Sequence, residues 1–281
     1  MSWEFSMKYV AIISSAHKRV VDPFIQATYE KFKQFIPKGF EQLAKYDYCL
    51  EIPLYYESPE YYELIDYLNQ HNEKPQVPML YTSYTKSELN KAEFFRLAPS
   101  YPLELEGKFS RDYGTKHRDQ CNKDYFCLMC GELIGDVFVD RKFMKKKKFG
   151  CLEPDLFVSE ELKEAIEEAG LTGIEFGGLV KDYKGREMKE KYYVVNITSI
   201  LPPLSDKTWI ESVPSSKCEH VCRYLWSDLM YEREKLAQAK DFNLTCEHLN
   251  NWFTQEVVAS ARAKKVLSQF RLMFREPVIL L

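Results

Sequence analysis

Apolar positions along this chain recur with two periods, and the two trade places several times. Residues 8 to 14 are almost wholly apolar and read as a buried strand. Asp22-Pro23 then sets a capping residue ahead of a proline at the first helical position. Phe24, Ile25, Thr28, Phe32, Phe35 and Ile36 fall on one helical face until Pro37 and Gly39 stop it. An extended run follows over 46–56. Ser58-Pro59-Glu60 opens a second helix with Tyr61, Leu64, Ile65 and Leu68 inward. Met79 to Tyr84 reads as a strand. Thr85-Lys-Ser-Glu88 has the spacing of a reciprocal cap before a short helix, and Phe94 to Leu97 reads as another strand. Tyr101 to Gly114 has no clear period and marks a join.

The later part repeats one order. Leu133 to Val139 is strand-like, and Leu156-Phe157-Val158 leads into Ser159, a helix cap followed by Glu160 and Glu161 in the first turn. Leu162, Ile166 and Ala169 form the inner stripe and Gly170 closes the helix. Ile174 and Phe176 then alternate as a half-buried strand. Tyr192 to Ile200 is a strand broken by Pro202-Pro203. Further on, Trp252-Phe253 leads into Thr254 as a second cap. Val257 and Ala261 take the places of Leu162 and Ile166, and Phe270 and Leu272 answer Ile174 and Phe176. The pattern predicts an α+β protein. An N-terminal α/β-type domain covers 1–110, and a cysteine-bearing part over 111–281 holds two related halves, about 120–200 and 210–281.

Composition narrows the chemistry. The chain has 281 residues, 45% hydrophobic and 29% charged, which fits an ordinary globular protein with room for two domains. Net charge is -3, which argues against a protein whose main task is to grip nucleic-acid backbone. Tyr9 to Ser14 is too short for an export signal, and no apolar run approaches the ~20 residues that span a bilayer. The expectation is a cytoplasmic protein with reduced thiols.

Eight cysteines then point to small apolar residues or metal ligands rather than disulfides. Cys127-Leu-Met-Cys130-Gly131 has the spacing and the glycine of a zinc knuckle. Cys218-Glu-His220-Val-Cys222 is a looser copy with one extra residue between the thiols. Thiolate is a soft, charged donor suited to Zn²⁺, and four thiolates with no open position make a structural site, not a catalytic one. Cys127, Cys130, Cys218 and Cys222 are therefore expected to close on one zinc that joins the halves, with Cys121 or His220 able to replace a ligand. Such an ion contributes roughly 10 kcal/mol or more to folding of its region.

Two surface features have a binding character. Tyr55, Tyr56, Glu57, Glu60, Tyr61 and Tyr62 crowd one strand-to-helix join, which suits docking of a basic protein surface. Arg141-Lys-Phe-Met-Lys-Lys-Lys-Lys148 is a basic run able to meet phosphates, and it supports an alternative reading as a zinc-ribbon nucleic-acid binder through Lys145 to Lys148. Nucleophile elbows, HExxH, Walker-type loops and GxGxxG are all absent from the sequence, and the five histidines stand in unrelated contexts.

The span from about Tyr84 onward resembles a bacterial family described by a double CxxCG motif. The likeness is carried by Glu88-Leu89, Ala92-Glu93-Phe94-Phe95, Tyr113-Gly114-Thr115 and Cys127 to Gly131. Its clearest part is Phe157-Val-Ser-Glu-Glu-Leu followed by Ala169-Gly-Leu-Thr-Gly-Ile-Glu-Phe176, a segment also similar to immunity proteins of bacterial polymorphic toxin systems. The second motif departs from the pattern, because Arg223 stands where a glycine would. The resemblance implies a cysteine-bound metal and a non-catalytic protein that neutralises a cognate toxin by direct binding.

Overall fold

The computed structural model describes residues 8–14, 23–38, 40–46, 49–73, 75–99, 110–118, 132–144, 147–152, 155–214, 221–249 and 254–281. The chain has mixed helices and strands, as an α+β protein does. It divides into two compact units, residues 1–90 and 91–281.

The first unit is a four-stranded sheet with two helices against it. β1 (Lys8–Ser14) is central, flanked by β3 (Leu50–Tyr55) and β4 (Gln76–Ser83), with β2 (Lys45–Tyr46) outside β3. Every pairing is antiparallel. α1 (Pro23–Phe32) and α2 (Pro59–Gln70) send Ile25, Phe32, Leu64 and Leu68 onto Ile13, Leu50, Ile52 and Leu54. These residues are the inward stripe that the helical period marks out. The cap of α2 forms as the sequence predicts, the Ser58 hydroxyl accepting from the Tyr61 N–H at 3.1 Å, whereas Asp22, expected to cap α1, lies outside the described residues. The reciprocal cap also forms ahead of α3 (Lys86–Lys91), where the Thr85 N–H donates to Glu88 and the Glu88 N–H to the Thr85 hydroxyl.

In the second unit one order of strands and helix occurs twice. In the first copy, β9 (Phe149–Cys151) and β10 (Leu156–Ser159) form a hairpin, α4 (Glu160–Glu168) follows, and β11 (Ile174–Leu179) returns. In the second, β17 (Phe242–Leu249) and β18 (Thr254–Ser260) form the hairpin, followed by α5 (Ala261–Leu267) and β19 (Met273–Pro277). Each copy also holds a parallel two-stranded pair: β8 (Phe138–Val139) with β12 (Lys181–Asp182), and β16 (Met230–Tyr231) with β20 (Ile279–Leu280).

The repeat extends to single hydrogen bonds. Ser159 N donates to Lys148 O and Ser260 N to Asp241 O, both at 2.9 Å. Tyr183 N donates to Val139 O, and Leu281 N to Tyr231 O. Gly170 and Arg271, which close the two helices, both sit in the left-handed region at φ 56° and 54°. Glycine takes that conformation freely; an arginine there is held by its surroundings.

Thr254, expected to cap the second helix, instead begins β18; the cap is Ser260. Ala263 and Leu267 consequently take the places of Leu162 and Ile166, not Val257 and Ala261. The β17–β18 hairpin is longer than β9–β10, and its added length displaced the alignment read from spacing alone.

The central strands are exchanged between copies. β10 pairs with β13 (Tyr192–Ile197), which follows it in the chain; β18 pairs with β5 (Phe94–Ala98), which precedes the whole first copy. The registers match: Val158 lies opposite Tyr193, and Ala259 opposite Phe95. Even the irregularity recurs, between Phe176 and Leu179 on β11 and between Phe274 and Pro277 on β19. Phe94–Ala98, expected in the first domain, thus belongs to the second unit, because its backbone partners β18 and β19 lie there.

Three cores follow from this symmetry. The shared one takes Leu162 and Ile166 of α4, Ala263 and Leu267 of α5, and Val158, Val195, Ala259 and Leu97 from the strands beneath. Val137, Val139, Met144, Phe157 and Val180 fill one outer core. Leu229, Tyr231, Leu236, Val258 and Val278 fill its counterpart. Alternate strand residues therefore face opposite sides, one toward the helices and one away.

Candidate functional site

The aromatic and acidic residues singled out in the sequence do meet in the first unit. Tyr55 ends β3, opposite Val10. Tyr56 and Glu57 make the turn into α2, and Glu57 holds φ at 58°, a left-handed conformation uncommon for a residue with a side chain. Ser58 and Pro59 then start the helix and throw Tyr61 and Tyr62 back over the turn. The rings of Tyr56 and Tyr61, and of Tyr61 and Tyr62, lie edge to face at 5.2 Å. Tyr62 is 52% exposed, and Glu57, Glu63 and Asp66 are exposed around it. Burial, then the Glu57 carboxylate and Tyr62, raise the Tyr56 hydroxyl above its ordinary value, so it stays a neutral donor. The result is a rigid aromatic ridge with a negative border. Among the described residues, Glu63 meets a cation, Lys31 at 3.1 Å.

The cysteine pairs belong to a second feature, in the other unit. β6 (His117–Arg118) pairs with β7 (Glu132–Leu133), and β14 (Ile210–Pro214) with β15 (Val221–Leu225). These hairpins are equivalents in the two copies: Ile134 N donates to Lys116 O at 2.9 Å, and Trp226 N to Trp209 O at 3.0 Å. Cys127 and Cys130, with Cys121, fall in the return between β6 and β7. Cys218 and His220 fall in the return between β14 and β15. All five lie outside the described residues. Cys222 is on β15, where its backbone pairs with Val213. Among the described residues, no three His, Cys, Asp or Glu side chains gather to hold an ion.

The base of the first hairpin is tied down by hydrogen bonds to one carboxylate. The buried His117 Nε2 lies 3.0 Å from Asp155 Oδ2, and the Ser110 hydroxyl reaches the same carboxylate oxygen at 3.4 Å. In the second copy the equivalent base carries Trp209 and Trp226, with rings 6.1 Å apart. The Trp226 indole N–H donates to Glu211 at 3.1 Å, and Trp209 is 52% exposed. Seventeen positions apart in sequence, the two rings are brought together by the hairpin register.

The basic run offers fewer open charges than its composition suggests. Lys148 pairs with Glu161 at 2.6 Å, Arg141 donates to the Glu187 carbonyl, and the Lys142 ammonium lies over the Phe143 ring. Lys145 and Lys146 lie outside the described residues. Nearby, a cavity of about 590 Å³ is lined by Phe138, Leu179, Val180, Tyr183 and Met188. Lys181, Arg186 and Lys191 at its rim are ion-paired to Asp136, Asp182 and Glu160. It offers apolar contact more than reactive groups.

No helix among the described residues is long and apolar enough to cross a membrane. Comparison with known protein families and with curated proteins finds no match.

Proposed function

We propose that this chain is a non-catalytic binding protein, an immunity protein that neutralises a cognate bacterial toxin by covering it. The observation that carries the reading is the ridge of Tyr56, Tyr61 and Tyr62 bordered by Glu57, Glu60, Glu63 and Asp66. Rigid aromatic anchors with few rotatable bonds, ringed by one sign of charge, are what a tight protein interface uses, and the acidic border selects a basic partner. The likeness of the strand–helix–strand segment around Ser159 to toxin-immunity proteins supports the same reading.

A structural zinc belongs to this proposal. Cys127, Cys130, Cys218 and Cys222 would hold it, with Cys121 or His220 as substitutes, and the ion would brace the hairpin returns without entering any reaction.

Co-expression with the toxin of the adjacent reading frame tests the function. Rescue of growth and copurification are expected, and Tyr62→Ala with Glu63→Lys should weaken the complex by more than tenfold. Failure to rescue against every adjacent frame, with the protein folded and abundant, would end the proposal.

A further inference from the structure

The two equivalent helices of the second unit have diverged to opposite charge. α4 reads Glu-Glu-Leu-Lys-Glu-Ala-Ile-Glu-Glu, and α5 reads Ala-Arg-Ala-Lys-Lys-Val-Leu. Both bury the same two positions in the shared core, Leu162 and Ile166 on one and Ala263 and Leu267 on the other. Their remaining faces form one surface, acidic on one helix and basic on the next.

Glu164 and Lys265 stand at equivalent positions, both are exposed, and neither has an ion-pair partner among the described residues. Glu168 on α4 is likewise exposed and unpaired among them. The contrast is sharpest one residue earlier. In the first copy Lys163 lies against Phe176 and Tyr193 and is matched by Glu167 at 2.7 Å. Its counterpart Lys264 lies 3.4 Å above the Phe95 ring, but Ser268 stands where Glu167 would be. Lys264 therefore keeps the ring and lacks the carboxylate, and burial holds its ammonium below the ordinary lysine value.

We propose that this two-helix face is an isologous interface between two copies of the chain, in which α4 of each lies on α5 of the other. The charge pattern selects that occupant. A partner of one sign would gain against one helix what it loses against the other. A two-fold rotation instead sets Glu164 and Glu168 of one copy over Lys264 and Lys265 of the other, twice over. The carboxylate missing beside Lys264 is then supplied from across the interface. This proposal stands independently of the toxin-binding one, which concerns the first unit.

Sedimentation of the full chain at about 100 µM tests it. A dimer is expected at about 50 mM salt, dissociating as the Debye length shortens toward 3 Å near 1 M. Glu164→Lys and Lys265→Glu, both at exposed positions, should each raise the dimer dissociation constant at least tenfold while leaving circular dichroism unchanged. The double swap should return it toward the original value. A monomer at low salt overturns the proposal. So does a dimer that neither single variant weakens, or a double swap no better than its parents.

Discussion

Ser159 and Ser260 cap equivalent helices with the same bond: the Ser159 hydroxyl accepts from the Leu162 N–H at 3.3 Å, and the Ser260 hydroxyl from the Ala263 N–H at 3.0 Å. They differ in one respect. The Ser260 hydroxyl also donates to Asp241 at 2.7 Å, and Asp241 in turn holds Thr172 of the other copy and Arg262. Removing either cap should cost about 1 kcal/mol, and Ser260→Ala should cost roughly 1 kcal/mol more because a buried carboxylate loses a donor. Urea unfolding of the two single variants measures the difference directly.

The exchanged strand sets a boundary that can be tested by truncation. A fragment over 91–281 keeps β5 between β18 and β19 and should unfold cooperatively. A fragment over 111–281 loses β5 and leaves both neighbours with open ladders and Leu97 missing from the shared core. It should be soluble only as aggregate or remain unfolded. Equal cooperativity of the two fragments by thermal melting would contradict the strand exchange.

Gly173 has no room for a side chain. Its φ is 85°, and a Cβ there would stand 2.1 Å from the Phe242 carbonyl oxygen. The close approach lets Phe242 N donate to Thr172 O, a bond that joins the two copies, while Thr198 N donates to Gly173 O within the first copy. Gly173→Ala should destabilise by about 3 kcal/mol or more, combining left-handed strain with displaced backbone. Gly170→Ala, where nothing lies within 4 Å of the added atom, should cost only about 1 kcal/mol from conformation. Thermal melts of the pair separate the two causes.

Asp182 should give the protein an acid-sensitive joint. Its carboxylate accepts from the Arg186 guanidinium and from the N–H groups of Arg141, Lys184 and Arg186. The Arg186 bonds foremost hold it well below the usual carboxylate range, against burial. A carboxyl depressed on folding adds stability that is present above the unfolded value of about 3.9 and lost as pH falls through the folded one. Asp182→Asn should cost about 3 kcal/mol at pH 7, with the gap to the native chain closing below about pH 4. Urea midpoints at the two pH values give the answer. A gap of constant size would mean the carboxylate's charge is not what matters.

The proposed zinc makes a stoichiometric claim. One ion shared by both hairpins predicts one zinc per chain, lost from Cys127→Ser and from Cys218→Ser alike. Elemental analysis of the purified chain and both variants checks this. Two ions, or loss from only one variant, would mean that each copy closes its own site.

How much of this was legible in the sequence follows from the range of each interaction. The caps at Ser58, Ser159 and Thr85 depend on a hydroxyl reaching an N–H three residues on, so residue type and spacing sufficed. The inward stripes of α1, α2 and α4 were equally plain. The aromatic ridge was legible because its members are neighbours in sequence. That one strand–helix–strand order occurs twice was legible too, but the alignment of the two runs was not. The longer second hairpin moved the cap from Thr254 to Ser260, and both residue types cap well.

The sequence by itself determined where α2, α3 and α4 begin, which faces are apolar, and that one strand–helix–strand order occurs twice. Only the tertiary structure decided that β5 serves the second copy and β13 the first. Any apolar strand of alternating pattern can fill a central place in a sheet. The choice between partners is made by the closure of the whole core, a property that no local stretch of residues contains.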